Sequence, residues 1–215
     1  MDKTETRSLL SQIVRPEVKV VEHFGPAQLI SGPELDAGLL DDAVAARRAE
    51  FSMGRHCARE ACKRIDRPCD FIGILPGRAP AWPQGVIGSI THCNGYIAAA
   101  VCRSEIVRFL GIDAEPFEPL PERLIDLIAF GTEKDWLLET ADLSYEGRLL
   151  FCAKEAVFKS WWPVYGSWLN FKDVGVEIDH EHGTFQAIVN GSTKSISLKG
   201  YFIIDHGLVA AAVSE

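Results

Sequence analysis

Two short elements recur in the same order along this chain, and that internal repetition restricts the fold more than any other feature of its 215 residues. Cys57-Ala58-Arg59-Glu60-Ala61 returns 95 residues later as Cys152-Ala153-Lys154-Glu155-Ala156. Gly95-Tyr96-Ile97-Ala98-Ala99-Ala100-Val101 returns 112 residues later as Gly207-Leu208-Val209-Ala210-Ala211-Ala212-Val213. One matching pair of apolar strings is within chance, whereas two pairs in one order point to duplication. The repetition predicts an α+β fold built as a pseudo-twofold duplication. Residues 1–107 would form the first half and 108–215 the second, with a cleft between them.

Local patterns supply the elements of each half. A helical stretch runs from about Asp41 to Ile65, and Leu149, Leu150, Ala153, Val157 and Trp161 recur at helical spacing from about Ser144 to Trp162, before Pro163. Val86 to Thr91 and Tyr96 to Arg103 read as a hairpin around His92-Cys93-Asn94-Gly95, where Asn-Gly is a strong turn signal. In the second half Val174 to Asp179 and Thr184 to Val189 flank another turn, and Ser195 to Asp205 leads into the terminal strand. Trp136 is expected to pack a helix whose N-cap is Thr132. Phe117 to Pro121 reads as a Pro-rich loop, and Cys102 to Glu105 as the crossover between halves.

The chemistry is concentrated in two places. In Gly111-Ile112-Asp113-Ala114-Glu115-Pro116 the acids alternate with apolar residues, so a strand would put both carboxylates on one face, about 6 to 7 Å apart. Like charges beside an apolar run are costly unless neutralised, and a hard divalent cation with oxygen ligands neutralises them. Asp-x-Glu alone also fits a solvated strand end. The second place is the helix of Cys152-Ala153-Lys154-Glu155-Ala156-Val157-Phe158-Lys159, where Glu155 and Lys159 sit one turn apart. An ordinary i, i+4 ion pair explains that spacing equally well. The surrounding Cys, Ala, Val, Phe and Trp residues argue for a buried helix in which such a pair needs further partners.

Charge and composition exclude several classes. A formal net charge of -8 opposes a general nucleic-acid binder, which needs a broad basic face. No stretch approaches the roughly 20 apolar residues of a membrane span, and Met1 to Arg7 lacks the pattern of a signal peptide, so a cytoplasmic protein is expected. The cysteines, at 57, 62, 69, 93, 102 and 152, form no C-x-x-C pair and predict neither a zinc site nor a disulfide framework. His180 and His182 read as turn residues. Arg47, Phe51 and Arg55 follow i, i+4, i+8 spacing, which fits a solvated face or a holder for a remote phosphate.

Taken jointly, Trp82-Pro83-x-Gly85-Val86-Ile87-Gly88-Ser89-Ile90-Thr91-His92, Gly111 to Pro116, and Phe151 to Pro163 closely resemble the 4'-phosphopantetheinyl transferases of the Sfp type, in particular the enterobactin-synthase and mycobacterial-like branch. The resemblance spans residues 44–172. It implies transfer of the phosphopantetheine arm of coenzyme A to a serine of an apo carrier protein, releasing adenosine 3',5'-bisphosphate. It further implies that Asp113, Glu115 and Glu155 hold Mg²⁺, with Mn²⁺ equally suited to oxygen ligands. Lys154 and Lys159 would face the phosphates, and Glu155 would be metal ligand, general base or both. His92, with Thr91, would contact a phosphate. Arg47 and Arg55 would meet the adenosine end, the loop of Gly77 and Arg78 would cradle the nucleotide, and Leu169 would line the ligand channel.

The expected partners are carrier proteins or domains of fatty-acid, polyketide or nonribosomal-peptide synthases. Residues 117–139 are the candidate docking region, with neither nucleic acid nor membrane involved and a monomer as the simplest assembly. Two other classes share part of this residue set. A Mg²⁺-dependent phosphoesterase or nuclease also uses acids and lysines, and a non-catalytic coenzyme A binding module would need only the basic residues. Retention of all three acids favours the transferase.

Overall fold

The computed structural model describes residues 8–40, 43–140, 142–190 and 195–215. Asp41, where the first long helix was expected to begin, and Met1 to Arg7, read above for a leader, lie outside them. In chain order the elements are β1 (Lys19–Phe24), α1 (Pro33–Asp36), α2 (Ala45–Lys63), β2 (Gly73–Ile74), β3 (Pro80–Ala81), β4 (Val86–Cys93), β5 (Tyr96–Arg103), β6 (Leu110–Pro116), α3 (Glu122–Ile128), α4 (Thr132–Glu139), α5 (Leu143–Tyr165), β7 (Val174–Asp179), β8 (Thr184–Asn190), β9 (Ser195–Asp205) and β10 (Leu208–Ser214).

Two antiparallel sheets carry the fold, one ordered β1-β5-β4 and the other β6-β10-β9-β8-β7. The repeated sequences occupy equivalent places in them. Cys57 to Ala61 lies in α2, which packs on the first sheet, and Cys152 to Ala156 lies in α5, which packs on the second. The alanine-rich copies are β5 and β10, an inner strand of each sheet. Small side chains suit them, because each is covered on both faces: Ala98 and Ala100 meet Ala210, Ala212, Ile112 and Ala114 in a core shared by the two sheets. The opposite faces carry Ala99 under α2 and Ala211 under α5.

Edge strands β4 and β6 meet at the seam. There the Ser89 hydroxyl accepts from the Ile112 amide at 3.1 Å, and the Thr91 hydroxyl accepts from the Ala114 amide at 3.2 Å. Side-chain hydroxyls thus satisfy edge amides that would otherwise be left unpaired at a buried junction.

Helix α5 lies directly against β6. A Cβ at Gly111 would stand 1.9 Å from the Ala156 carbonyl oxygen, so only glycine permits that approach. The helix starts at Asp142, whose carboxylate accepts from the Tyr145 amide at 3.4 Å. It also continues beyond the expected stop: Pro163 sits in its last turn and the helix closes at Gly166, in the left-handed region at φ 60. A proline one turn from the end removes a single helical donor, and the helical ladder still resumes beyond it, with the Gly166 amide donating to the Trp162 carbonyl at 2.9 Å. Thr132 is not an N-cap. Gly131 occupies that position and no side chain caps α4. No helix of the described residues is long and apolar enough to cross a membrane.

Candidate active site

A cavity of about 700 Å³ opens where the halves face one another. From the first half α2 supplies Arg47, Glu50, Phe51 and Arg55, the loop between β2 and β3 supplies Gly77 and Arg78, and β4 supplies Ser89, Ile90 and His92. From the second half α5 supplies Glu155, Phe158, Lys159 and Trp162, while Trp168, Leu169 and Phe171 follow it. The helical spacing of Arg47, Phe51 and Arg55 is therefore the spacing of a cavity wall. Arg55 is 4% exposed, its guanidinium lies 4.5 Å over the Phe51 ring, and its Nε donates to the Ile72 carbonyl at 2.9 Å. Burial pulls its pKa down to about 10, against the attraction of Glu34, and Arg47 adds repulsion. Gly77, at φ 76, lets the loop fold onto the Trp162 ring, which a Cβ there would meet at 3.0 Å.

His92 stands on the same wall. The Arg47 guanidinium abuts His92 Nε2, and Glu50 Oε2 is 3.6 Å from His92 Nδ1. Burial and the neighbouring Arg47 hold the imidazole below its ordinary pKa.

The acidic corner lies at the foot of α5. Lys159 Nζ donates to Asp113 Oδ1 at 2.6 Å, and the Thr91 hydroxyl donates to the same oxygen at 3.0 Å. Asp113 Oδ2 is buried without a hydrogen-bond partner. Glu115 pairs with Arg148 at 3.2 Å, yet burial and the charge on Asp113 push it up to about 7. Burial also raises Glu155, opposed by Lys159. For Lys159, burial works toward a lower pKa, but the charge and hydrogen bond of Asp113 hold it above the ordinary lysine value. Burial, more than mutual repulsion, is what disfavours the ionised carboxylates at this corner. An orphaned buried carboxylate oxygen beside two carboxyls of raised pKa, all hard oxygen donors, fits a divalent cation. In the present side-chain arrangement no three His, Cys, Asp or Glu groups among the described residues converge as ligands; Lys159 engages Asp113 and Arg148 engages Glu115.

Comparison with known proteins gives the chain a lineage. Residues 35–102 match the 4'-phosphopantetheinyl transferase N-terminal domain, and residues 109–212 match the 4'-phosphopantetheinyl transferase superfamily. The chain is similar to the 4'-phosphopantetheinyl transferase Npt of Nocardia iowensis, with 37% identity over 87% of this chain and 94% of that protein. It is also similar to PptT of Mycobacterium tuberculosis, with 37% identity over 98% and 97%, and to Svp of Streptomyces mobaraensis, with 40% identity over 80% and 74%. The chain belongs to the 4'-phosphopantetheinyl transferases. It is thus an enzyme of that family, and the phosphoesterase and non-catalytic binding readings are set aside.

Against this cavity the expected residues divide. Arg47, Arg55, Gly77, Arg78, His92, Glu155, Lys159 and Leu169 line it. Lys154 does not. Its ammonium is fully buried and donates to Glu133 Oε2 and the Ile128 carbonyl, both at 2.7 Å, and to the Phe171 carbonyl at 3.0 Å. One residue before Glu155 on a helix, Lys154 points about 100° away from it, toward α4 rather than the cavity. Its expected contact with phosphate is corrected to a structural ion pair. Thr91 is likewise 2% exposed, is not among the lining residues, and its hydroxyl braces Asp113. Asp113 and Glu115 are not among the lining residues, and Asp113 adjoins them through its pair with Lys159.

Sequence reasoning missed Glu50, Arg148 and Glu133. Glu50 follows Arg47 by three residues on one helical face, an available signal, whereas Arg148 finds its partner Glu115 on β6, which no local spacing shows. Glu133 carried none, because its role depends on α4 folding back onto α5. His180 pairs with Glu146 at 3.0 Å and His182 with Asp179 at 2.8 Å, on the exposed surface.

Proposed function

We propose that this transferase moves the phosphopantetheine arm of coenzyme A onto a serine hydroxyl of an apo acyl or peptidyl carrier protein, releasing adenosine 3',5'-bisphosphate. The observation that carries this reading is the placement of Arg47, Arg55 and Arg78 with Glu155 and Lys159 around one continuous cavity between the halves, Lys159 also pairing with Asp113. Arg47, Arg55 and Arg78 would take the nucleotide phosphate, because guanidinium forks match phosphate oxygens. Lys159, one turn beyond Glu155, would hold the diphosphate by charge.

In the reaction a bond forms between the serine oxygen and the phosphorus bearing pantetheine. The phosphorus–oxygen bond to the adenosine bisphosphate breaks, and the serine proton passes to a base. Glu155 suits that acceptance: it lines the cavity, and its raised pKa makes it a stronger base than a free carboxylate. A divalent cation, Mg²⁺ or Mn²⁺, held by Asp113, Glu115 and Glu155 would supply stabilisation of charge on the diphosphate oxygens. Lys159 and Thr91 keep Asp113 oriented for that duty. Trp162, Phe158 and Leu169 would pack the apolar parts of the arm and exclude water.

The carrier would dock over α3 and α4, where Leu127 is 60% exposed and Leu138 75%. Leu127 also lines the cavity, which ties that patch to the reacting end. An apolar receiving surface suits a partner whose acidic helix would be repelled by a chain of net charge -8.

The test is to incubate the protein with coenzyme A, Mg²⁺ and a panel of apo carrier proteins and to record intact masses. A gain of one phosphopantetheine on a carrier, lost with Glu155→Gln and with a chelator, is expected. Coenzyme A binding without transfer to any carrier would reduce the reading to binding alone.

A further inference from the structure

One carboxylate faces the wrong way for an anion site. Glu50 lines the cavity between Arg47 and His92, where its charge opposes any phosphate that the arginines attract. Arg47 Nη1 lies 3.4 Å from Glu50 Oε2, one helical turn along α2, and it also abuts His92 Nε2. A guanidinium donates hydrogen bonds and never accepts them. The Nε2 that meets it must therefore be the bare nitrogen, and the imidazole proton sits on Nδ1, toward Glu50 Oε2 at 3.6 Å. In this state His92 has no proton on the nitrogen that Arg47 touches.

The consequence follows when a phosphate draws Arg47 to itself. Nε2 then loses its donor and faces an anion that only a protonated nitrogen can bond. We propose that Glu50 is a positioning residue that holds the Nδ1–H of His92 and stabilises its imidazolium, so that binding of a phosphate monoester in this cavity is coupled to uptake of a proton at Nε2. Resting on the coenzyme A reading above, the proposal adds to it a proton and a residue. The charged groups facing His92 divide by sign: Glu50 on α2 and Asp113 on β6 favour the imidazolium, while Arg47 on α2 and Lys159 on α5 oppose it. Moving Arg47 onto the ligand and adding the ligand's charge both shift that balance toward protonation. A carboxylate that costs affinity by repulsion thereby earns a place.

The experiment follows the ring carbon–proton signal of His92 by NMR, assigned by its loss in His92→Gln, across the histidine titration range without and with saturating coenzyme A. The nucleotide's own monoester titrates near the same pH, so the histidine signal, rather than bulk proton release, is read. In the wild type the midpoint should rise by about one unit or more on binding, and in Glu50→Gln the midpoint of the bound protein should lie about half a unit or more below that of the bound wild type. Glu50→Asp should recover part of that difference. A midpoint that does not rise in the wild type, or that lies as high in bound Glu50→Gln as in the bound wild type, overturns the proposal. Calorimetry on the same samples separates the two readings: absence of coenzyme A binding sinks the proposed function, whereas binding with an unmoved His92 sinks this inference alone.

Discussion

Lys159 Nζ lies 2.6 Å from Asp113 Oδ1, joining helix α5 to strand β6 at the point where the two halves meet. The same ammonium reaches the Thr91 hydroxyl at 3.4 Å, so residues from β4, β6 and α5 share one polar centre. Lys159→Met should lower the rate of carrier modification by about 10²-fold or more, as expected when a preorganised charge is removed from developing anionic oxygens. Lys159→Arg should recover part of that loss. Time courses of carrier mass measure both, and a rate unchanged in Lys159→Met would remove this residue from the chemistry.

Lys154 should behave oppositely to its neighbour. With its ammonium fully buried against Glu133, Lys154→Met leaves a buried carboxylate without its cation, a loss of about 3 to 5 kcal/mol of stability. Urea denaturation reads it directly. Coenzyme A affinity of the remaining folded protein should change little, because Lys154 is not in the cavity wall. Loss of affinity with unchanged stability would restore the phosphate contact that the geometry denies.

The difference between these two lysines marks the limit of what the sequence makes legible. Strand alternation placed Asp113 and Glu115 on one face, and Asn94-Gly95 defined a hairpin whose strands pair in register from Val86↔Arg103 to Cys93↔Tyr96. The repeated strings located the two layers, because an alanine strand needs cover on both faces wherever it lies. Local periodicity could not say which partner each side chain meets. Lys154 and Lys159 both follow from one helix, but only the fold of α4 onto α5 shows that Glu133 takes the first. Thr91 is similar: its partner Asp113 comes from the other half of the chain, 22 residues away across the seam.

Glu115 gives a pH dependence with a defined sign. Burial and Asp113 carry it from an ordinary 4.5 to about 7 in the folded protein. A carboxyl whose folded pKa is raised contributes stability that is fully present below its unfolded value and is lost as pH rises through its folded value. The metal-free protein should therefore lose stability between about pH 4.5 and pH 7 on this account, and Glu115→Gln should flatten that slope. Mg²⁺ should restore melting temperature at the upper end, since it binds the ionised form. Thermal unfolding across this window, with and without Mg²⁺, checks both. A wild-type slope of the opposite sign, still removed in Glu115→Gln, would mean that Arg148 outweighs burial.

Gly111 offers the sharpest separation of activity from stability. A Cβ there would stand 1.9 Å from the Ala156 carbonyl and 2.5 Å from the Ser160 amide, so Gly111→Ala must push α5 away from β6. Overpacking of this kind costs about 1 to 3 kcal/mol, occasionally more. The site suffers further, because Glu155 and Lys159 ride on α5 while Asp113 stays on β6, and a displacement of about 1 Å between reacting groups costs roughly 10²-fold in rate. Gly175→Ala is the control: it lies in β7 with nothing within 4 Å of its would-be Cβ, and its effect should stay within about 0.5 kcal/mol. Circular dichroism melting and the carrier mass assay should be run at a temperature where both variants are fully folded. Gly111→Ala should then be folded and nearly inactive, and Gly175→Ala folded and active. Full activity in folded Gly111→Ala would show that α5 and β6 need not hold this spacing, and that the Lys159–Asp113 pair is not what fixes the geometry of transfer.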